Sequence, residues 1–199
     1  MKTTSVLVLL LLMVVVPFGA FGQKESANLI KNGDFEKFTG DNPDGWDTSN
    51  IPGVLTVVSA SKSAQSGGKS VKCEVKDFGG SLIAGFICQK NIQTGERGIR
   101  LSGQFTMHST GKDQGVLVLC FTNSNGSTIG TTEEYIDDSG GKFIALTKEF
   151  QPPAGCTAVH VRLTVLPDKQ SEKLHEGSFV ICDNLRLTAI IPPEAPIVQ

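Results

Sequence analysis

The chain has 199 residues, enough for one domain with a substantial core or two very small ones. Hydrophobic residues at 39% and charged residues at 19% exclude a disordered chain, and 22 glycines suit a fold with many turns. A formal net charge of −2 removes the electrostatic case for nucleic acid or an anionic membrane surface as partner.

The chain opens with Lys2, an unbroken apolar run from Val6 to Val16, and Pro17 to end it. Ala20 and Gly22 then supply the two small residues of a cleavage site before Gln23. Residues 1–22 therefore read as a secretory signal peptide, and the mature protein as secreted, extracellular or periplasmic. The apolar run is shorter than the ~20 residues of a membrane span, so no membrane insertion is expected. Residues 23–189 follow as one domain, and the Pro-rich residues 190–199 as an extended tail.

Within the domain, brief alternating or apolar runs are separated by Gly, Pro, Asn, Asp and Ser. Strands are expected at Val54–Ser59, Ser70–Lys76, Leu82–Gln89, Ile99–Met107, Val116–Thr122, Ile144–Phe150, Ala158–Val165 and Phe179–Leu187. Val71, Cys73 and Val75 alternate with Lys72, Glu74 and Lys76, and Val159, Val161, Leu163 and Val165 alternate with His160, Arg162 and Thr164. No stretch of the domain sustains a period of 3.6. Short strands, Gly-rich turns and no helix give an all-β sandwich. Between the expected strands, Glu133 and Glu134, and Asp137 and Asp138, read as a solvated loop.

In the last strand, alternation places Phe179, Ile181, Asp183, Leu185 and Leu187 on one face and Val180, Cys182, Asn184 and Arg186 on the other. A carboxylate in an apolar stripe needs a cation or several hydrogen bonds, and Glu36 and Asp34 are candidates to share the cation. Five cysteines, Cys73, Cys88, Cys120, Cys156 and Cys182, leave at least one without an intrachain partner. Four of them, all but Cys156, sit in apolar runs and read as small buried hydrophobes, with one or two disulfides left open. Nothing has the spacing of a zinc site. His108, His160 and His175 come with no nucleophile signature, and no acid pair can be argued, so the chain reads as a non-enzyme.

Three segments go together. They are NLIKNGDFE with PDGW (Asn28–Glu36, Pro43–Trp46), SAQSGGKSVKCEV (Ser63–Val75) and SFVICDNLRLT (Ser178–Thr188). This set resembles the carbohydrate-binding modules with a galactose-binding-like jelly roll, of the kind of families 4, 9 and 22. The resemblance implies a two-sheet jelly-roll β-sandwich, a structural Trp46 and a glycan or polysaccharide partner. It also implies a structural calcium where the first and last strands meet, held by Glu36 and Asp183. Backbone carbonyls of Gly33 and of the Ser66–Lys69 stretch, here Lys69, complete that set. The alternative is that Asp183 accepts backbone N–H groups while Glu36 faces solvent.

With 1 Trp, 1 Tyr and most of the 11 Phe expected in the core, Tyr135 is the one stacking platform available to a sugar. The expected ligand site is a shallow polar cleft of Gln104, His108, Tyr135, His160 and Arg162. The competing reading is a structural or interaction protein that keeps the jelly roll, has no sugar site, and meets a protein partner.

Overall fold

The computed structural model of the chain describes residues 26–170 and 172–191. The signal peptide expected at residues 1–22 and residues 192–199 of the expected tail lie outside the described residues. The described chain forms β1 (Phe38–Thr39), β2 (Asn42–Pro43), β3 (Asp47–Thr48), β4 (Val58–Ser61), β5 (Ser70–Phe78), β6 (Ser81–Ala84) and β7 (Phe86–Gln93). It continues as β8 (Ile99–His108), β9 (Gln114–Thr122), β10 (Thr128–Ile136), β11 (Ile144–Phe150), β12 (Ala158–Leu166) and β13 (Phe179–Ala189).

One sheet has the order β10-β9-β12-β7-β3, and the other β11-β8-β13-β5-β4 with β6 added on β5. The partners are antiparallel throughout. The sandwich is closed by what alternation predicts. Leu117, Leu119, Val159, Val161, Leu163 and Ile87 point inward from the first sheet, against Leu101, Phe105, Met107, Val71, Cys73 and Val180 from the second. At one open edge, Lys148 of β11 reaches Glu134 of β10 at 3.3 Å and ties the two sheets together.

Besides the strand expected from Val54, which begins only at Val58 after a turn and an isolated Ile51–Leu55 bridge, three expectations need correcting. Leu82–Gln89 is not one strand, because Gly85 divides it and the chain changes sheets there, β6 pairing with β5 and β7 with β12. A Cβ at Gly85 would stand 2.2 Å from the Val57 carbonyl oxygen, so only glycine lets the crossing chain pass so close. Glu133 and Glu134 are not in a loop but in β10, an edge strand whose Thr, Ile and Tyr content suits a pleated surface.

Asp183 does not share a stripe with Leu185 and Leu187. The register of β13 against β8 shifts between Asp183 and Arg186, and Asn184 takes a φ of 53°. This bulge inserts a residue and inverts the alternation. The core therefore receives Val180 and Cys182 before the bulge and Leu185 and Leu187 after it, while Asp183 turns to the outer face.

The early segment meets β13 as expected. Leu29 N–H donates to the Leu187 carbonyl (2.8 Å), Leu187 N–H to Asn28 Oδ1 (2.9 Å), and Leu185 N–H to the Gly33 carbonyl (2.8 Å). Trp46 is buried, its ring centroid 5.5 Å from that of Phe35, and its Nε1–H donates to the Lys31 carbonyl at 3.1 Å. All five cysteines are free thiols. Burial pushes Cys73 up to about 12 and Cys182 well above its ordinary value, which keeps both protonated and unreactive.

Candidate functional site

The five residues expected to line a polar cleft fall on two opposite faces. Gln104 and His108 point outward from β8, in the six-stranded sheet. There Gln104 lies across from Asp183 and borders a shallow hollow with Ser102 and Arg186, and His108 packs on the Phe179 ring at 5.2 Å. Tyr135, His160 and Arg162 point outward from β10 and β12, in the five-stranded sheet. A single cleft holding all five does not exist, because the whole thickness of the sandwich separates the two sets.

The five-stranded face gathers more than those three. Register sets Arg162 between Val118 of β9 and Cys88 of β7, His160 beside Cys120, and Thr164 between Val116 and Phe86. On β10, Glu133 lies across from Val118 and Tyr135 from Val116. His160 is fixed by a second bulge, in β7. Asn91, with a φ of 56°, has an N–H that the ladder does not take up, and it donates to His160 Nδ1 at 2.9 Å.

Both aromatic rings of this face carry a cation. The Arg162 guanidinium lies 4.2 Å from the Phe86 ring centroid, and Lys169 Nζ lies 4.7 Å from that of Tyr135. Tyr135 is therefore not the bare platform expected of it. Its O–H donates to Glu133 Oε2 at 2.5 Å, and that carboxylate holds the phenol above its ordinary value. Lys90 and Asp47 form an ion pair at 2.9 Å.

Beside this face, a cleft of about 560 Å³ runs along β7 and β3, lined by Lys31, Asp47, Cys88, Lys90 and Asn91 among others. Cys88 and Asp47 belong to both surfaces, so face and cleft are continuous. Its volume lies within the ~300–1,000 Å³ typical of small-molecule sites. Burial pushes the Cys88 thiol up, so it borders the cleft as a neutral, weakly polar group.

Phe86, Lys169 and Glu133 were missed by sequence reasoning. Phe86 was submerged in a run treated as one strand, and Glu133 in a supposed loop. The alternation of Thr131, Glu133 and Tyr135 was the signal that could have exposed β10.

The expected calcium ligands cluster around the loop of residues 63–69. Asp183 is fully buried, and its Oδ2 accepts the N–H groups of Gln65 (2.8 Å) and Ser66 (2.9 Å), while Oδ1 accepts that of Asn184 (2.7 Å). Glu36 does not simply face solvent. Its Oε1 accepts the N–H groups of Gly68 (2.9 Å) and Lys69 (3.1 Å). Gly67, at a φ of +60°, makes this approach possible, since a Cβ there would stand 2.0 Å from Glu36 Oε1.

This donor set fits calcium only in part. Lys69 presents its N–H rather than a carbonyl to the carboxylate, and the Gly33 carbonyl is engaged by Leu185 N–H. Glu36 Oε2 and the remaining lone pair of Asp183 Oδ1 are left for a cation. Among the described residues, no group of three or more His, Cys, Asp or Glu side chains is placed to hold a metal.

No protein-family model matches the chain, and no curated protein matches it in sequence. Solved structures do match in fold. The β-1,4-galactotriose complex of TmCBM61 superposes with a TM-score of 0.53 at 16% identity, covering 82% of this chain and 99% of that one. The CBM22-1 xylan-binding domain of Paenibacillus barcinonensis Xyn10C gives 0.53 at 14% identity, covering 84% and 97%.

The enzymatically active domain of bacteriophage CBA120 tailspike protein 4 gives 0.59 at 18%, covering 82% of this chain and only 21% of the tailspike chain. At these identities the likenesses establish the fold, which is the β-sandwich of the carbohydrate-binding modules.

Proposed function

We propose that the protein is a secreted, non-catalytic carbohydrate-binding module that takes glycan on the outer face of its five-stranded sheet. The observation that carries the reading is the convergence of Tyr135, His160 and Arg162 on one sheet face that runs on into the β7 cleft. The TmCBM61 complex supports the ligand class, since a protein of this fold holds a galactotriose. Because both rings of the face are covered by cations, affinity comes from hydrogen bonds exchanged with water more than from stacking. Each nets only about 0.5–1.5 kcal/mol, which places Kd between micromolar and millimolar.

Two variants on opposite sheets test the placement in a glycan-array screen followed by calorimetry. Tyr135→Ala should weaken binding several-fold, and Gln104→Ala should leave it unchanged. The reverse pattern would move the site to the six-stranded sheet. Absence of retention on every soluble and insoluble glycan would favour the alternative, a jelly roll that meets protein partners instead.

A structural calcium at Glu36 and Asp183 is a separable part of the proposal. It is supported by the sequence resemblance and by Glu36 Oε2, which accepts no hydrogen bond among the described residues. Calcium bound only by the folded state should raise Tm by mass action. The backbone N–H groups already compensating both carboxylates should keep the protein folded in excess chelator. An identical Tm in calcium and in chelator would remove the ion from the reading.

A further inference from the structure

We infer that the ligand of the five-stranded face is an acidic glycan, its anionic group received by Arg162. The inference rests on the glycan reading above and names the class of sugar. Arg162 is exposed near the middle of the sheet, flanked by Val118 and Cys88. Its guanidinium lies over Phe86, and among the described residues no carboxylate pairs with it. The carboxylates beside the Arg162 row are engaged elsewhere, Asp47 by Lys90 and Glu133 by the Tyr135 hydroxyl. Lys169, over Tyr135, adds a second cation that no carboxylate among the described residues pairs with.

A face built for neutral sugar leaves its aromatic rings bare, so that the apolar faces of pyranose rings can stack on them. Here both rings are spent on holding cations. The contact with Phe86, 4.2 Å from ring centroid to Cζ, restrains the side chain, so less freedom is lost when its fork of N–H donors closes on an oxyanion. The group that matches the fork is a carboxylate or a sulfate, each offering two oxygens to parallel N–H bonds. The flanking Val118 side chain and the protonated Cys88 thiol offer no competing charge.

Affinity electrophoresis and calorimetry of the full chain, with two matched pairs of polymers, test this. One pair is polygalacturonate and its methyl-esterified form, which differ in the carboxylate. The other is dextran sulfate and dextran, which differ in the sulfate. At least one acidic member should bind tenfold or more tightly than its neutral counterpart, and the pair that shows the preference identifies carboxylate or sulfate. The preference should shrink as salt rises.

Arg162→Ala should abolish the preference with Tm unchanged. Arg162→Lys, which keeps a cation over Phe86 and loses the fork, should retain only a small part of it. If the role of Arg162 were only to cover Phe86, the lysine variant would behave as the wild type, and the inference would fall. Equal binding of acidic and neutral members, or binding of neutral glycans alone, overturns the inference and leaves the glycan reading standing. Binding to neither acidic polymer also overturns it, and absence of binding to any glycan removes both.

Discussion

Replacing Asp183 probes how the two ends of the domain are joined. Its carboxylate is fully buried and accepts three N–H groups at 2.7–2.9 Å, two of them from a loop more than a hundred residues earlier in the chain. Hydrogen bonds to a charged group contribute about 1.5–3 kcal/mol each, and a donor stranded in a dry site costs a similar amount. Three such bonds would sum to more than the loop can lose. Residues 63–69 lie on the surface, and once released their N–H groups can turn to water.

Allowing for that relaxation, Asp183→Ala should cost about 3–5 kcal/mol, a large share of the ~5–15 kcal/mol that holds a domain together. Asp183→Asn keeps an oxygen for Gln65 and Ser66 but turns an NH₂ toward the Asn184 N–H, and should cost about half as much. Urea denaturation reads both values as shifts in midpoint at constant slope. A Tm fall on the order of 10 °C should accompany the alanine variant. An Asp183→Ala protein within ~1 kcal/mol of the wild type would refute the claim that these bonds hold the loop to the last strand.

Gly85→Ala should destabilise by about 2 kcal/mol or more in the same assay, because its Cβ would stand 2.2 Å from the Val57 carbonyl oxygen and 2.9 Å from the Glu74 nitrogen. A neutral effect would mean that the crossing between sheets relaxes freely. At Glu74, burial pushes the carboxyl up, but Lys72 (2.8 Å) and Lys76 (3.3 Å) together bring it below its ordinary 4.5. A depressed carboxyl stabilises the fold above the unfolded value and ceases to do so as pH falls through the folded one. Glu74→Gln should therefore be less stable than the wild type at pH 7, by no more than the ~1 kcal/mol of a partly exposed pair. The gap should close as pH drops below about 4.5, and a gap that persists at pH 3 would assign the effect to packing.

The fold was legible in the sequence where one face of a strand is buried and the other is not. Val71, Cys73 and Val75 in β5, and Val159 to Val165 in β12, show a clean alternation because each side chain on one face meets the opposite sheet. The alternation misled where the backbone breaks phase. Nothing in ICDNLRL announces that Asn184 adopts positive φ, yet that one residue decides whether Asp183 or Leu185 enters the core.

Gly85 was legible only as a glycine in a strand, and the contact that demands it comes from Val57, far along the chain. The grouping of the candidate site residues was legible only in part, for a related reason. Outward residues of a strand can be read from period 2, but which sheet a strand joins depends on non-local pairing. Gln104 and His108 were therefore grouped with residues that face the opposite way.

The two outer faces have different structural loads, and that difference bears on where a ligand can bind. The six-stranded sheet carries the joining of the termini, with the Asn28–Glu36 segment laid along β13 and loop 63–69 bonded to Asp183 and Glu36. A substitution near that end alters stability before it alters recognition. The five-stranded sheet has no such duty on its outer side. Arg162 and Lys169 lie over rings that the core does not need, and Tyr135 is on an edge strand. Side chains there can change at small cost to the fold, because surface positions away from buried contacts usually move stability by less than ~0.5 kcal/mol. Separating the two tasks lets one sandwich join its ends on one sheet while the proposed ligand face on the other carries cations over its aromatic rings.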